Sequence, residues 1–116
     1  MLSLPPQVRV FVCTQPTDMR KSFDGLSGLV AAVFPVELLS GHLFVFFNRR
    51  RDRIKILAWD RDGLCLWYKR LEAGTFQVPP ATAQGLELDA TELSLLLSGI
   101  DLSSAQRRKR FRPQVA

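Results

Sequence analysis

Two hydrophobic periods alternate along this chain, and they divide it into strands and helices. Val8-Arg9-Val10-Phe11-Val12-Cys13 reads as a first strand. Pro16 and Thr17 end it and begin a helix, with Thr17 as N-cap and Asp18 suited to the positive end of the helix dipole. Met19, Phe23, Leu26, Leu29 or Val30, and Val33 then recur at helical spacing until Pro35 stops the helix. Gly25 and Gly28 lie three apart and permit close approach of a strand or another chain on that face. After a Ser40-Gly41 turn, Leu43 to Phe47 is apolar throughout and is expected as a central strand.

The stretch from Phe46 to Glu72 holds both Trp, the only Tyr and eight basic residues. Its pattern predicts a hairpin closed by Asp60-Arg61-Asp62-Gly63, read as a type I turn with Gly63 in the left-handed region. Pairing Asp60 with Leu64 sets Trp59 opposite Cys65, Leu57 opposite Trp67 and Lys55 opposite Lys69. Ile54, Ile56, Ala58, Leu66 and Tyr68 then face the core, and Lys55, Trp59, Trp67 and Lys69 share a basic, aromatic outer face. A one-residue slip of register would exchange these neighbours.

Gly74, Pro79, Pro80 and Gly85 mark an irregular connection, with Thr75 to Val78 a short strand and Leu86-Glu87-Leu88 an edge strand. Asp89 and Glu92 form the capping-box pattern, with Leu88 and Leu93 as hydrophobic staple. Leu93, Leu96 and Leu97 give the second helix its buried stripe, and Gly99 stops it. The expected class is α+β, ordered as strand, helix, three-strand meander, short strands and helix, with a mainly antiparallel sheet. Residues 1–102 form one domain and residues 103–116 a basic, flexible tail. A chain of 116 residues buries about two-thirds of its unfolded surface.

Charge changes the picture more than composition does. The net charge is +5, yet residues 1–102 hold eleven acidic and eleven basic residues. The whole excess comes from Arg107, Arg108, Lys109, Arg110 and Arg112, a cationic arm suited to finding phosphates. Arg49, Arg50, Arg51 and Arg53 crowd one end of the hairpin beside a single offsetting Asp52, and the planar guanidinium fork suits phosphate. The alternative is a solvated loop and a solvated terminus. No apolar run approaches the ~20 residues a membrane span needs, and no signal-peptide pattern precedes the first strand, so a cytoplasmic protein without membrane contact is expected. Cys13 and Cys65 are expected as reduced, buried thiols.

Catalytic patterns are weak. His42 has no Cys or His at ligand spacing, no nucleophile motif accompanies it, and no phosphate-binding glycine loop exists. Asp18, Asp24, Asp52, Asp60 and Asp62 are the candidates for a metal-dependent nuclease, but Asp60 and Asp62 suit the turn and Asp18 the helix start. The expectation is a protein that is not an enzyme and carries no metal or cofactor.

Three ordered stretches carry a resemblance. Pro16-Thr17-Asp18-Met19-Arg20-Lys21-Ser22-Phe23-Asp24-Gly25-Leu26 is the first, and Ser40-Gly41-His42-Leu43-Phe44-Val45-Phe46 the second. The third runs from Asp52-Arg53-Ile54-Lys55-Ile56-Leu57 through Trp59-Asp60 and Asp62-Gly63 to Tyr68-Lys69-Arg70-Leu71-Glu72. Together they resemble the TnpB-type accessory protein encoded by the second reading frame of bacterial insertion sequences of family sixty-six, over about Val8 to Asp101. The resemblance implies an accessory role in DNA transposition beside a separate, larger transposase that carries the catalytic acids. It directs attention to Thr17, Asp18, Met19, Arg20, Lys21, Arg53, Lys55, Trp59, Asp60, Asp62, Gly63, Tyr68 and Lys69, and it carries no catalytic residue over.

The leading expectation is therefore a non-enzymatic DNA-binding accessory protein. Its phosphate contacts would come from Arg49, Arg50, Arg51, Arg53, Lys55, Lys69 and the tail cations, with Arg20 and Lys21 extending the surface. The rival is an adaptor for the transposase without DNA contact, using an exposed patch of Leu57, Trp59 and Trp67 ringed by Lys55 and Lys69. A homodimer is compatible with either of these and with the nuclease.

Overall fold

The computed structural model describes residues 7–99. Its elements are β1 (Arg9–Val12), α1 (Phe23–Val33), a short 3-10 turn (Leu38–Ser40), β2 (Leu43–Phe47), β3 (Arg53–Asp60), β4 (Gly63–Arg70), β5 (Leu86–Asp89) and α2 (Ala90–Leu97). The five strands form one sheet in the order β4-β3-β2-β1-β5. Only β1 and β2 run parallel, and α1 is the crossover between them; the other three pairings are antiparallel. The α+β class and the β2-β3-β4 meander are as expected. The tail expected at residues 103–116 lies outside the described residues.

The sheet is covered on both faces. On one face Leu93, Leu96 and Leu97 of α2 pack with Val10, Val12, Leu43, Val45, Ile54 and Ile56. On the other, Leu26 and Val30 of α1 pack with Phe11, Cys13, Phe44, Phe46 and Leu57. This explains why β2 is apolar at every position: all five of its residues are buried, alternately against each helix. Each fully buried Phe or Leu contributes about 1.5–3 kcal/mol, and Phe44 also stacks on Phe11 at a ring separation of 5.7 Å.

Local signals placed the second helix well. The Asp89 side chain accepts from the Glu92 amide at 2.7 Å and the Glu92 carboxylate accepts from the Asp89 amide at 3.1 Å, completing the capping box. Gly99 takes φ 86°, as a left-handed helix stop requires. β5 forms the expected edge strand, but Thr75 to Val78 is not a strand: Phe76 is buried and its amide donates to the Arg51 carbonyl.

Three further expectations are corrected by the turns and the register. First, α1 begins at Phe23 with Ser22 at the N-cap position, so Thr17 caps no helix. Asp18 instead forms a local turn, accepting from the Arg20 amide at 2.9 Å. Second, the hairpin closes with a two-residue connection. Asp60 pairs with Gly63, and Arg61, not Gly63, takes the positive φ of 54°. Every β4 side chain is thereby moved to the opposite face from the one expected. Trp67 now opposes Ile56 on the α2 face, and Tyr68 opposes Lys55 on the α1 face with Leu57, Trp59 and Leu66. Leu57 is wholly buried, and Trp59 and Trp67 lie on different faces, so the shared tryptophan patch does not exist. Third, Cys13 is buried but Cys65 is exposed. The two helix glycines admit no strand: a Cβ at Gly25 would come within 3.2 Å of the side chain of Lys21, four residues back in the same chain, and Gly28 faces open space.

Candidate nucleic-acid interface

Because β1 and β2 are parallel, their carboxyl ends emerge side by side, the place where α/β sheets commonly present binding loops. The loop after β1 contains Thr17 to Ser22, and the loop after β2 is Asn48 to Asp52. Pairing continues past the strands: the Cys13 amide donates to the Val45 carbonyl and the Thr17 amide to the Phe47 carbonyl, each at 2.8 Å. A cleft of about 210 Å³ lies between the loops, lined by Cys13, Thr14, Pro16, Phe47, Asn48, Arg49, Arg51 and Val78.

The arginine turn is built around Asn48. Its Oδ1 accepts from the amides of Asp52 and Arg53 at 3.1 and 3.0 Å, and its Nδ2 donates to Asp52 Oδ1 at 2.6 Å. The Leu71 and Phe76 amides donate to the carbonyls of Asp52 and Arg51, each at 2.7 Å, bracing the turn from the chain that follows β4. Arg51 sits at φ 57°. The backbone is thus fixed while Arg49, Arg50 and Arg51 are exposed, and among the described residues none of the three side chains makes a hydrogen bond or ion pair. Asp52 does not neutralise them by direct contact. Its hydrogen bond from Asn48 is the main cause holding its carboxyl below the ordinary value, with the charges of Arg50 and Arg53 adding to the effect and partial burial opposing it. Asn48 is the residue that sequence reasoning passed over; its signal was an Asn placed directly before an arginine run and ahead of an Asp.

The family-motif residues divide into two groups. Lys55 is 5% exposed and inward-facing. Its Nζ donates to the carbonyls of Met19 and Lys21 at 2.7 and 2.6 Å and lies 4.7 Å from the centre of the Tyr68 ring. Arg53 Nη1 donates to the Tyr68 hydroxyl at 3.2 Å. The first and third motifs are therefore stitched together, with Lys55 as the pin that holds the loop before α1 onto the sheet. Lys55 is withdrawn from the outer-face residues, because its ammonium is spent on that loop. Lys69 pairs with Ile54, which puts it on the α2 face, away from Arg53 and Tyr68. Trp59, Asp60, Asp62 and Gly63 stand at the far end of the hairpin, roughly 24 Å from the arginine turn along an eight-residue strand. The tail cations Arg107, Arg108, Lys109, Arg110 and Arg112 lie outside the described residues.

Arg20 and Asp18 form an ion pair at 2.7 Å on the loop beside the arginine turn. Hydrogen bonds from Arg20 hold the Asp18 carboxyl down from an ordinary 3.8 to about 2. A carboxyl lowered in the folded state stabilises it above its unfolded value, and the contribution is lost as pH falls through the folded one. Carboxyl-carbon NMR is therefore expected to show Asp18 still ionised at pH 3 and titrating near 2; a midpoint near 3.8 would mean the pair does not persist in solution. Among the described residues the candidate nuclease carboxylates form no cluster of three: Asp18 is bound to Arg20, Asp52 to Asn48, Asp24 stands in the first turn of α1, and Asp60 and Asp62 lie at the opposite hairpin end. Among the described residues no cluster of three metal-ligating side chains occurs, and no helix is long and apolar enough to cross a membrane.

The ordered motifs and the loop they build can be set against known proteins. A family model described as IS66 Orf2 like protein matches residues 8–107. The chain belongs to that family. Curated relatives agree over nearly the full length of both chains. The uncharacterized protein y4jC of Sinorhizobium fredii is 37% identical over 106 residues, 91% of this chain and 91% of its own. The uncharacterized protein y4hO of the same organism is 41% identical over 101 residues, 87% of this chain and 88% of its own. No solved structure matches. Membership in the IS66 Orf2-like family supports the accessory role in transposition expected of the resemblance.

Proposed function

We propose that this IS66 Orf2-like protein is a non-catalytic accessory factor of transposition that binds DNA through its phosphates, working beside the transposase. One observation carries the reading: three consecutive arginines are exposed and, among the described residues, without a hydrogen bond or ion pair, on a turn whose backbone is braced by Asn48, Leu71 and Phe76. Holding three like charges together costs energy unless anions come to them, and a fixed backbone reduces what binding must spend on ordering. Arg53 begins β3 beside the turn, and Arg20, paired with Asp18, and Lys21 stand on the neighbouring loop. Phosphate contacts position a protein without reading sequence, so specificity for the element would come from the transposase.

The test is a salt titration of duplex-DNA binding, run on the full chain and on a chain ending at Asp101. Each phosphate contact adds about −0.9 to the slope of log affinity against log salt. The full chain is expected to show the steeper slope, by up to about 4–5 for the five tail cations, with a salt-dependent remainder in the shorter chain. A shorter chain that binds with no salt dependence would remove the arginine turn from the interface.

A further inference from the structure

β4 is an edge strand with only β3 beside it among the described residues. Proteins usually blunt such edges with short strands, proline, bulges or charged side chains, and β4 carries charge only at its last two residues, Lys69 and Arg70. The opposite edge, β5, follows that rule with four residues. β4 has eight residues, no proline, and an unbroken one-to-one register with β3 from Arg70 to Gly63. Its Leu64, Leu66 and Trp67 are only half-buried, and Tyr68 is 46% exposed.

The two ends of this strand carry opposite charge. Asp60, Arg61 and Asp62 leave one net negative charge at its start, and Lys69 and Arg70 lie at its end, Arg70 holding Glu72 at 2.8 Å with its guanidinium still exposed. Antiparallel pairing of two copies brings unlike ends together, whereas parallel pairing brings like ends together. We propose that the β4 edge is the docking surface for a second copy of this chain, joined antiparallel about a two-fold axis at Leu66. That centre sets Leu66 opposite Leu66 of the second copy, Cys65 opposite Trp67, Leu64 opposite Tyr68, and Asp62 opposite Arg70. Leu64, Leu66 and Tyr68 stay on the α1 face and Cys65 and Trp67 on the other, so apolar neighbours meet on both faces of a continuous sheet. Centring one residue later moves Asp62 opposite Glu72, and one residue earlier moves it opposite Tyr68, so either shift loses the Asp62–Arg70 opposition. The dimer does not depend on DNA binding.

The full chain is expected to sediment as a dimer at micromolar concentration without DNA. Directly opposed Cα atoms in an antiparallel pair lie within disulfide reach, and diagonal neighbours lie beyond it. Mild oxidation is thus expected to cross-link a Leu66→Cys, Cys65→Ser variant and to leave wild-type Cys65 unbridged. Asp62→Arg is expected to raise the dimer dissociation constant about tenfold, since two like-charge oppositions replace two attractions, and adding Arg70→Asp is expected to restore it. Both charge changes are at exposed positions and spare the core. A monomer at these concentrations, or a dimer indifferent to the charge changes and not cross-linked at position 66, would overturn the proposal.

Discussion

Replacing Lys55 by Met is expected to lower stability by about 2–4 kcal/mol, as read by urea unfolding. Hydrogen bonds to a charged group contribute about 1.5–3 kcal/mol each, and removing one partner leaves the other unsatisfied. Here one ammonium serves two carbonyls, those of Met19 and Lys21, from a site that is only 5% exposed. Met keeps most of the side-chain volume, so the loss reports the polar contacts and not a cavity. The change should also be local. Amide exchange is expected to accelerate across residues 17–22, which Lys55 holds down, and much less in α2 on the other face of the sheet. Lys55→Arg tests geometry: a planar fork replaces a compact ammonium that reaches two carbonyls beneath the Tyr68 ring, so it should recover only part of the loss. A loss below about 1 kcal/mol with unchanged exchange would show that the loop is held without the pin.

Elements specified by nearby residues were legible in the sequence, and those decided by distant contacts were not. The capping box of α2 needs only Asp89 and Glu92, three residues apart, and β2 announces itself by an apolar run bounded by turns. The loop at 17–22 misled for the opposite reason. Thr17 and Asp18 carry the chemistry of a helix start, but the Thr17 amide is bound to Phe47 and the carbonyls of Met19 and Lys21 to Lys55, thirty or more residues away. No local propensity reports those bonds. The hairpin turn failed by one residue. Asp60-Arg61-Asp62-Gly63 suits either a glycine-closed loop or a two-residue connection, and the chain places the positive φ on Arg61. With a side-chain period of two, that single step put Trp67 against the α2 face and Tyr68 over Lys55. The arginine run was legible as charge. What the sequence concealed was its bracing by Leu71 and Phe76, which depends on how the chain returns after β4.

That bracing leads to the largest expected effect on binding. Changing Arg49 and Arg50 to Gln and Arg51 to Asn removes three exposed cations while keeping polar side chains; Asn is chosen because position 51 sits at φ 57°. If all three arginines contact phosphates, the salt slope should fall by about 2.7, and affinity at ~0.15 M salt by about a hundredfold. The fold should be unaffected, because the turn is held by Asn48 and by backbone amides and not by these side chains. Arg61→Asn supplies the control. It removes one cation at a matching positive φ of 54°, but at the opposite end of β3 from the arginine turn. A general attraction between DNA and positive charge would make each lost cation count alike, so the control would lose about a third of what the triple change loses. An interface at the carboxyl ends of β1 and β2 instead leaves the control near wild type. Equal loss per charge at both ends of the hairpin would therefore reject a localised site even if DNA binding itself were strong.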